Sequence, residues 1–253
     1  EDAQRRPAYD ALAKAAEETS AYTRRTGSEY TRQGRGDTAT HKLFTERMWR
    51  LLQTGGRLGY VIPTGIYRDL GTKELRSMFL EEGSIEHVFG FSNERGFFNG
   101  VHHDFRFCLL GAQKGAKLDG FWAAFRFNPR VAVRPEDLPA FLADRANQIY
   151  VKRESMARFS PDSLSLMEFQ TRRDYEIAEK IYGDWPLLGT EVENTWNVKL
   201  TNEFHMTNDR HLFTTSPGVG ALRAAPLPLY EGKMIHQYNA FYEKPQFWVE
   251  EDA

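Results

Sequence analysis

Arg57-Leu58-Gly59-Tyr60-Val61-Ile62-Pro63-Thr64-Gly65, and after a helical segment Asn93-Glu94-Arg95-Gly96-Phe97-Phe98-Asn99-Gly100-Val101-His102-His103-Asp104-Phe105-Arg106-Phe107, are the two blocks that decide the fold class. Leu58–Ile62 is a short apolar run that suits a strand buried on both faces. Thr72 can cap a following helix whose Leu75, Met78 and Phe79 face inward, and Gly83 stops it. Ile85–Phe91 and Phe105–Leu110 read as two more strands, joined by residues 92–104. The last strand follows with no intervening helix, so it is expected to pair antiparallel. Helix, strand, helix, strand and then a returning strand is an α/β signature.

Upstream, residues 8–25 are Ala-rich with Tyr9, Leu12 and Ala16 at helical spacing, which predicts a surface helix. Residues 26–37 are polar and Gly-rich, hence a loop. Phe44, Met48, Leu51 and Leu52 fall at i, i+4, i+7 and i+8, the expected inner face of a helix ended by Gly55-Gly56. Downstream of residue 116 the texture changes. Phe121–Phe127 reads as a strand, Pro135–Ala143 as a short helix with Pro at its first position, and Ile149–Arg158 as mixed and polar. Asp174 can cap a helix through Tyr182 that turns Ile177, Ala178 and Ile181 to one side. Beyond it stand short segments broken by Pro, Gly and Asn, and a domain boundary is expected between residues 115 and 150.

A hydrophobic content of 41% with 13% aromatics suffices for a packed core. The formal net charge of -2 advertises no global basic field, although a local groove can be basic on a near-neutral protein. One cysteine, Cys108, leaves no internal disulfide and no multi-cysteine zinc site, and fits a reducing cytoplasm. No run of apolar residues is long enough to span a bilayer and no signal-peptide pattern is seen. The opening Glu1-Asp2-Ala3-Gln4 lacks an initiator Met and enters a helical pattern directly, which suggests a piece of something longer.

Generic chemistry is sparse. Of the seven histidines only His102 and His103 are adjacent, and strand neighbours point to opposite faces. No metal site is therefore expected. There is no nucleophile elbow, no GxGxxG and no Walker loop.

The blocks quoted above, together with Leu51-Leu52-Gln53-Thr54-Gly55-Gly56, Gly36-Asp37 and Phe44, resemble the segment that follows the catalytic motif in N6-adenine DNA methyltransferases of the type IIG/IIL-like restriction–modification kind. Phe91–Leu110 is the most specific match, similar to that family's Phe-x-Asn…Phe-x-x-Val-His…Lys-Phe segment. Phe204–Phe213 and Pro228–Tyr238 look like blocks found further downstream, in the target-recognition region. The resemblance spans roughly residues 26–240. It implies the C-terminal half of a Rossmann-like, S-adenosyl-L-methionine-dependent methyltransferase sheet with an antiparallel last strand, then a mixed α+β appendage. Residues 1–115 would be the methyltransferase part, 116–150 a connecting segment, and 151–253 the beginning of the DNA-binding recognition region.

The same resemblance implies double-stranded DNA as partner, a fused or associated endonuclease, no membrane, and a bacterial cytoplasmic setting. An adenine to be methylated must leave the stack, and a flipped base needs an aromatic face. Phe98 is the expected stacking face and Phe97 the runner-up. Pro63 and Thr64 would form the pocket wall and Phe44 would pack near the cofactor. In the second half Arg153, Arg158, Arg172, Arg173, Lys199, Arg210, Arg223 and Lys233 are available to phosphates, and Asn202, Asn208, Gln237 and Asn239 to base edges. The departures matter as much. The family's Asn-Pro-Pro-aromatic tetrapeptide is absent, Asn128-Pro129-Arg130 being misplaced and incomplete, and so is the glycine-rich cofactor loop. The chain alone is expected to be inactive. The alternatives are a non-catalytic DNA-binding or scaffold module and an α/β domain with an unrelated small-molecule site.

Overall fold

The structure is a computed structural model, and it describes all residues except 1, 26–27, 35–37, 194–197, 200–202, 216–225, 240 and 250–253. The expectations attached to Gly36-Asp37, Asn202 and Arg223 lie outside the described residues. Two compact units are present, residues 1–187 and 188–253.

In the first unit, α1 (Asp2–Arg24) is exposed along most of its described length and α2 (Thr40–Leu51) follows. Then come β1 (Arg57–Pro63), the short α3 (Gly65–Arg68), α4 (Lys73–Glu82), β2 (Gly83–Ser92), β3 (Arg106–Lys114) and β4 (Gly120–Arg126). A helical stretch over 135–143, its second part being α5 (Leu138–Ala143), leads to β5 (Ile149–Lys152), α6 (Arg153–Phe159) and α7 (Arg172–Asp184). The sheet order is β1-β3-β2-β4-β5. β3 runs antiparallel between β1 and β2, so those two are parallel to one another. The α/β class and the antiparallel returning strand are as expected.

The sheet does not stop at β3. β4 pairs parallel with the far side of β2, and β5 pairs antiparallel with β4. The division between units therefore falls at 187/188, beyond the boundary expected between 115 and 150. The reason is packing: Phe121, Ala123, Phe125, Ile149 and Val151 enter the same core as Leu58, Ile62, Val88 and Leu110.

That core fills the face covered by α2, α4, α6 and α7, where Trp49 meets Phe79 edge-on at 5.0 Å. Alternation along each strand sends a second set the other way. On that side Phe89, Phe91, Phe107 and Ala124 pack under Phe97, Val133, Leu138 and Phe141.

Four local expectations are corrected. β1 is an edge strand that buries Leu58 and Ile62 and leaves Val61 52% exposed, so it is not covered on both faces. α2 turns Thr45, Glu46 and Trp49 inward and leaves Phe44 and Leu51 exposed. Thr72 stands at the start of α4 without capping it; its hydroxyl instead donates to the Gly65 carbonyl at 2.6 Å. Likewise α7 is capped by Thr171, with Asp174 returning the bond in a capping box, and Ile177 and Ile181 face solvent while Tyr175 and Ala178 are buried.

The second unit holds β6 (Phe213–Thr214), β7 (Leu227–Pro228) and β8 (Trp248–Val249) in the order β6-β8-β7, all antiparallel. Among its described residues Met234 and Val249 are the buried apolar ones, and Glu203, Phe204, Met206 and Tyr230 line a hollow of about 600 Å³. Among the described residues of the chain, no helix is long and apolar enough to cross a membrane.

Candidate functional site

Because β1 and β2 are parallel to one another, their carboxyl ends lie at one end of the sheet, and β3 begins there. Phe107 stands opposite both Pro63 and Phe91 in the ladders, and the Thr64 amide donates to the Arg106 carbonyl at 3.3 Å. In open α/β sheets this is the end at which ligands are received. The chain from 93 to 105 leaves β2 and returns to β3 at this same place.

One side chain holds that loop together. Asn93 is 3% exposed, and its amide donates to the carbonyls of Phe98 at 2.9 Å and Val101 at 2.8 Å while its oxygen accepts from the Phe98 amide at 2.8 Å. Its own backbone N–H donates to the Phe105 carbonyl at 2.9 Å, closing the base of the loop. Gly96 and Gly100 take the left-handed conformation, φ 73° and 75°, where the chain must reverse. Sequence reading quoted Asn93 inside its motif but gave it no role; the signal available was an Asn at the first position after a strand, where a side-chain amide can replace missing ladder partners.

The result is an ordered display of aromatic rings. Phe97 packs half-buried against Phe91 and Phe107. Phe98 sets its ring edge-on to Phe107 at 4.9 Å and remains 40% exposed. Phe98 is thus supported from behind and open in front, whereas Phe97 is a member of the cluster beneath. Pro63 is half-buried, Thr64 is buried, and Phe44 stands out from α2 at 64% exposed. Truncating Asn93 to alanine removes three hydrogen bonds and is expected to speed amide exchange at residues 96–105 by at least about tenfold, leaving β1–β3 protected. Unchanged exchange in the loop by mass spectrometry would refute the clamp.

On the helix-covered side of the same end, Glu168 gathers three residues. Tyr67 donates to it at 3.0 Å, and the guanidinium groups of Arg68 and Arg106 lie 3.5 and 3.8 Å away. Arg106 also lies over the Phe127 ring at 4.8 Å. Burial, with Glu168 beside it, pushes the Tyr67 phenol far above its usual range, so it stays protonated and serves as a donor. None of these residues was singled out from sequence, because Glu168 approaches from the far side of α6.

His102 and His103 lie in a turn and not on a strand, so the strand geometry behind the expectation of no metal does not apply. Of the expected phosphate partners, Arg158 pairs with Glu179 at 2.6 Å, Arg172 with Glu176 at 3.2 Å, Lys199 with Glu191 at 3.8 Å and Lys233 with Glu231 at 2.6 Å. Arg210 covers the Phe247 ring.

The residues present do not by themselves fit S-adenosylmethionine. At the end of β1 the chain passes straight through Thr64, whose amide is committed to Arg106, into the four-residue α3, without the glycine-rich loop that would wrap a charged methionyl group. An exposed Phe44 ring supplies one apolar face and no polar partner.

Residues 7–98 match the family model of the Eco57I restriction-modification methylase, and the resemblance to restriction–modification methylases is borne out there. No curated protein matches the chain. Among solved structures, the type IIG restriction endonuclease BpuSI matches at 20% identity, covering 53% of this chain and 16% of its own, with a TM-score of 0.40. The M protein of the type I restriction enzyme EcoKI matches at 14% identity over 63% of this chain and 44% of its own, TM-score 0.42. A type I restriction-modification methyltransferase subunit from Streptococcus thermophilus matches at 16% identity over 55% and 32%, TM-score 0.40. The chain spans less than half the length of each of these structures.

Proposed function

We propose that the chain is the closing part of a site-specific DNA adenine-N6 methyltransferase of a restriction–modification or phage-defence system. The observation that carries this is the Asn93-clamped loop: it holds a half-exposed Phe98 at the ligand-receiving end of the sheet, at the close of the segment matched to the methylase family. In this reading Phe98 is the face on which the flipped adenine stacks, Phe97 and Phe107 back it, and Pro63 and Thr64 belong to the wall beside it. Methyl transfer from S-adenosylmethionine requires the cofactor loop and the Asn-Pro-Pro-aromatic motif, so these residues alone are inactive. The methylase part continues through the connecting segment, whose strands join its sheet, and the recognition region that meets duplex DNA begins within residues 151–253, with an endonuclease fused or associated, in the bacterial cytoplasm.

The test is methyl transfer to duplex DNA by the protein encoded by the full reading frame. Stacking of a base on an aromatic ring contributes roughly 1–3 kcal/mol, so Phe98→Ala is expected to lower kcat/KM by about fivefold to 150-fold. Phe98→Tyr should retain most of it. Equal activity in wild type and Phe98→Ala would reject Phe98 as the stacking face. Absence of any Asn-Pro-Pro-aromatic motif in the full reading frame would reject the enzyme.

A further inference from the structure

We infer that the turn His102-His103-Asp104, with Glu94 from the start of the same loop, is a binding site for a first-row divalent transition metal such as zinc. The donor atoms of His102, His103 and Asp104 all lie within 4.8 Å of one another. His103 Nδ1 is 3.1 Å from Asp104 Oδ1 and 3.3 Å from Glu94 Oε2, and His102 Nδ1 is 3.9 Å from Asp104 Oδ2. Zinc–ligand bonds of about 2.0–2.2 Å at tetrahedral angles separate neighbouring ligand atoms by roughly 3.3–3.5 Å. The His103 contacts at 3.1 and 3.3 Å already have that spacing, and the remaining donor atoms, within 4.8 Å of one another, close to it by rotation of the exposed rings.

The backbone makes this convergence possible. In the turn the two imidazoles stack at 4.2 Å with an interplanar angle of 30°, on the same side of the chain. The His102 carbonyl accepts from the Phe105 amide at 3.0 Å and Asn93 anchors the other end, so the ligands are held by a closed loop. A metal would replace the long hydrogen bond from the Asp104 amide to His102 Nδ1, 3.3 Å, and the His103 Nδ1 contacts with Asp104 and Glu94. Two imidazoles and two carboxylates favour zinc, cobalt or nickel over magnesium and calcium, which prefer all-oxygen sites. The side chains of both histidines and Asp104 are exposed, leaving an open path for the ion and for water to complete its coordination. A bound ion would join residue 94 to residues 102–104 and stiffen the intervening loop. The site stands whether or not Phe98 receives a base.

Isothermal titration of ZnCl2 into the tag-free chain tests this. One saturable micromolar site is expected, with no saturable heat from MgCl2. His103→Ala should abolish the site, and Glu94→Gln should weaken it by about tenfold or more, the effect typical of losing a group that supports a metal ligand. Zinc should also slow amide exchange at residues 96–105 in the wild type and not in His103→Ala. Metal-free melting curves check that the variants fold alike. No saturable binding by the wild type, or zinc bound equally well by His102→Ala and His103→Ala, would overturn the site; the second result would assign the ion to histidines elsewhere.

Discussion

Replacing Arg76 by alanine is expected to lower the unfolding free energy by about 3–5 kcal/mol, the range for breaking a buried polar network. Arg76 is 1% exposed. Its guanidinium donates to the carbonyls of Ile66 at 2.8 Å, Asp69 at 2.7 Å and Ser163 at 2.7 Å, and to the Thr72 hydroxyl at 2.6 Å. Burial lowers its pKa to about 10, with Asp69 opposing that shift, so it remains charged at neutral pH. The acceptors it serves belong to α3 and the turn after it, and to the segment following α6. Truncation therefore removes the guanidinium from the Ser163 carbonyl, leaves the Ile66 and Asp69 carbonyls to Thr72 alone, and opens a hole the size of the side chain. Arg76→Lys keeps the charge but cannot reach all acceptors, and should fall between alanine and wild type. Urea unfolding measures both. A loss under 1 kcal/mol for alanine would contradict the role assigned to this residue.

The second large effect is expected at Glu46, which is fully buried on α2. Its carboxylate accepts from the Thr31 amide at 2.7 Å, the Arg32 amide at 3.1 Å and the Gln33 side chain at 2.6 Å, and it pairs with Arg50 at 2.7 Å. These bonds fasten residues 31–33 to α2 and place Arg32 within 3.1 Å of Glu81. Glu46→Ala removes one partner of a buried, charge-assisted set and is expected to cost about 3–5 kcal/mol. Glu46→Gln keeps the shape but aims N–H groups at other donors, and should recover less than half. Amide exchange separates the local consequence from the global one: protection at residues 31–33 should vanish first. Retained protection there in Glu46→Ala would show that the segment is held by something else.

The elements were legible because hydrophobic periodicity and glycine stops report them directly. Gly83 ends α4, the apolar runs became β1, β2 and β3, and the lack of a helix between β2 and β3 marked the antiparallel return. Which face an element buries was less legible. On α2 the conspicuous apolar set of Phe44 and Leu51 is exposed, while a Thr, a Glu and a Trp form the inner face because the Glu46 carboxylate, besides its pair with Arg50, accepts hydrogen bonds from a segment that arrives from outside the helix. Such compensation is non-local and leaves no mark in periodicity. β1 looked doubly buried because Gly59, Val61 and Pro63 read as apolar, but the cover on that face packs on β2, β3 and β4 and leaves Val61 exposed. The sheet's extension by β4 and β5 is a pairing choice that strand patterns do not encode.

At the site, the resemblance located the loop, and the structure supplied its internal logic. Phe97 and Phe98 are adjacent and chemically identical in sequence; only the Asn93 clamp and the Phe107 ring distinguish the buried one from the presented one. The His102-His103 pair was discounted on strand geometry, and a turn reverses that inference. Glu168, Tyr67 and Arg106 come together across about a hundred residues of chain, beyond what spacing can show.

The central claim is that Phe98 receives a base displaced from duplex DNA. The most direct measurement places 2-aminopurine at the target adenine and follows its fluorescence on binding the protein encoded by the full reading frame. In the wild type the flipped base is expected to be quenched by stacking on Phe98, and Phe98→Ala is expected to give a marked rise in fluorescence at equal DNA occupancy. Identical fluorescence for wild type and Phe98→Ala, with DNA bound in both, would contradict it.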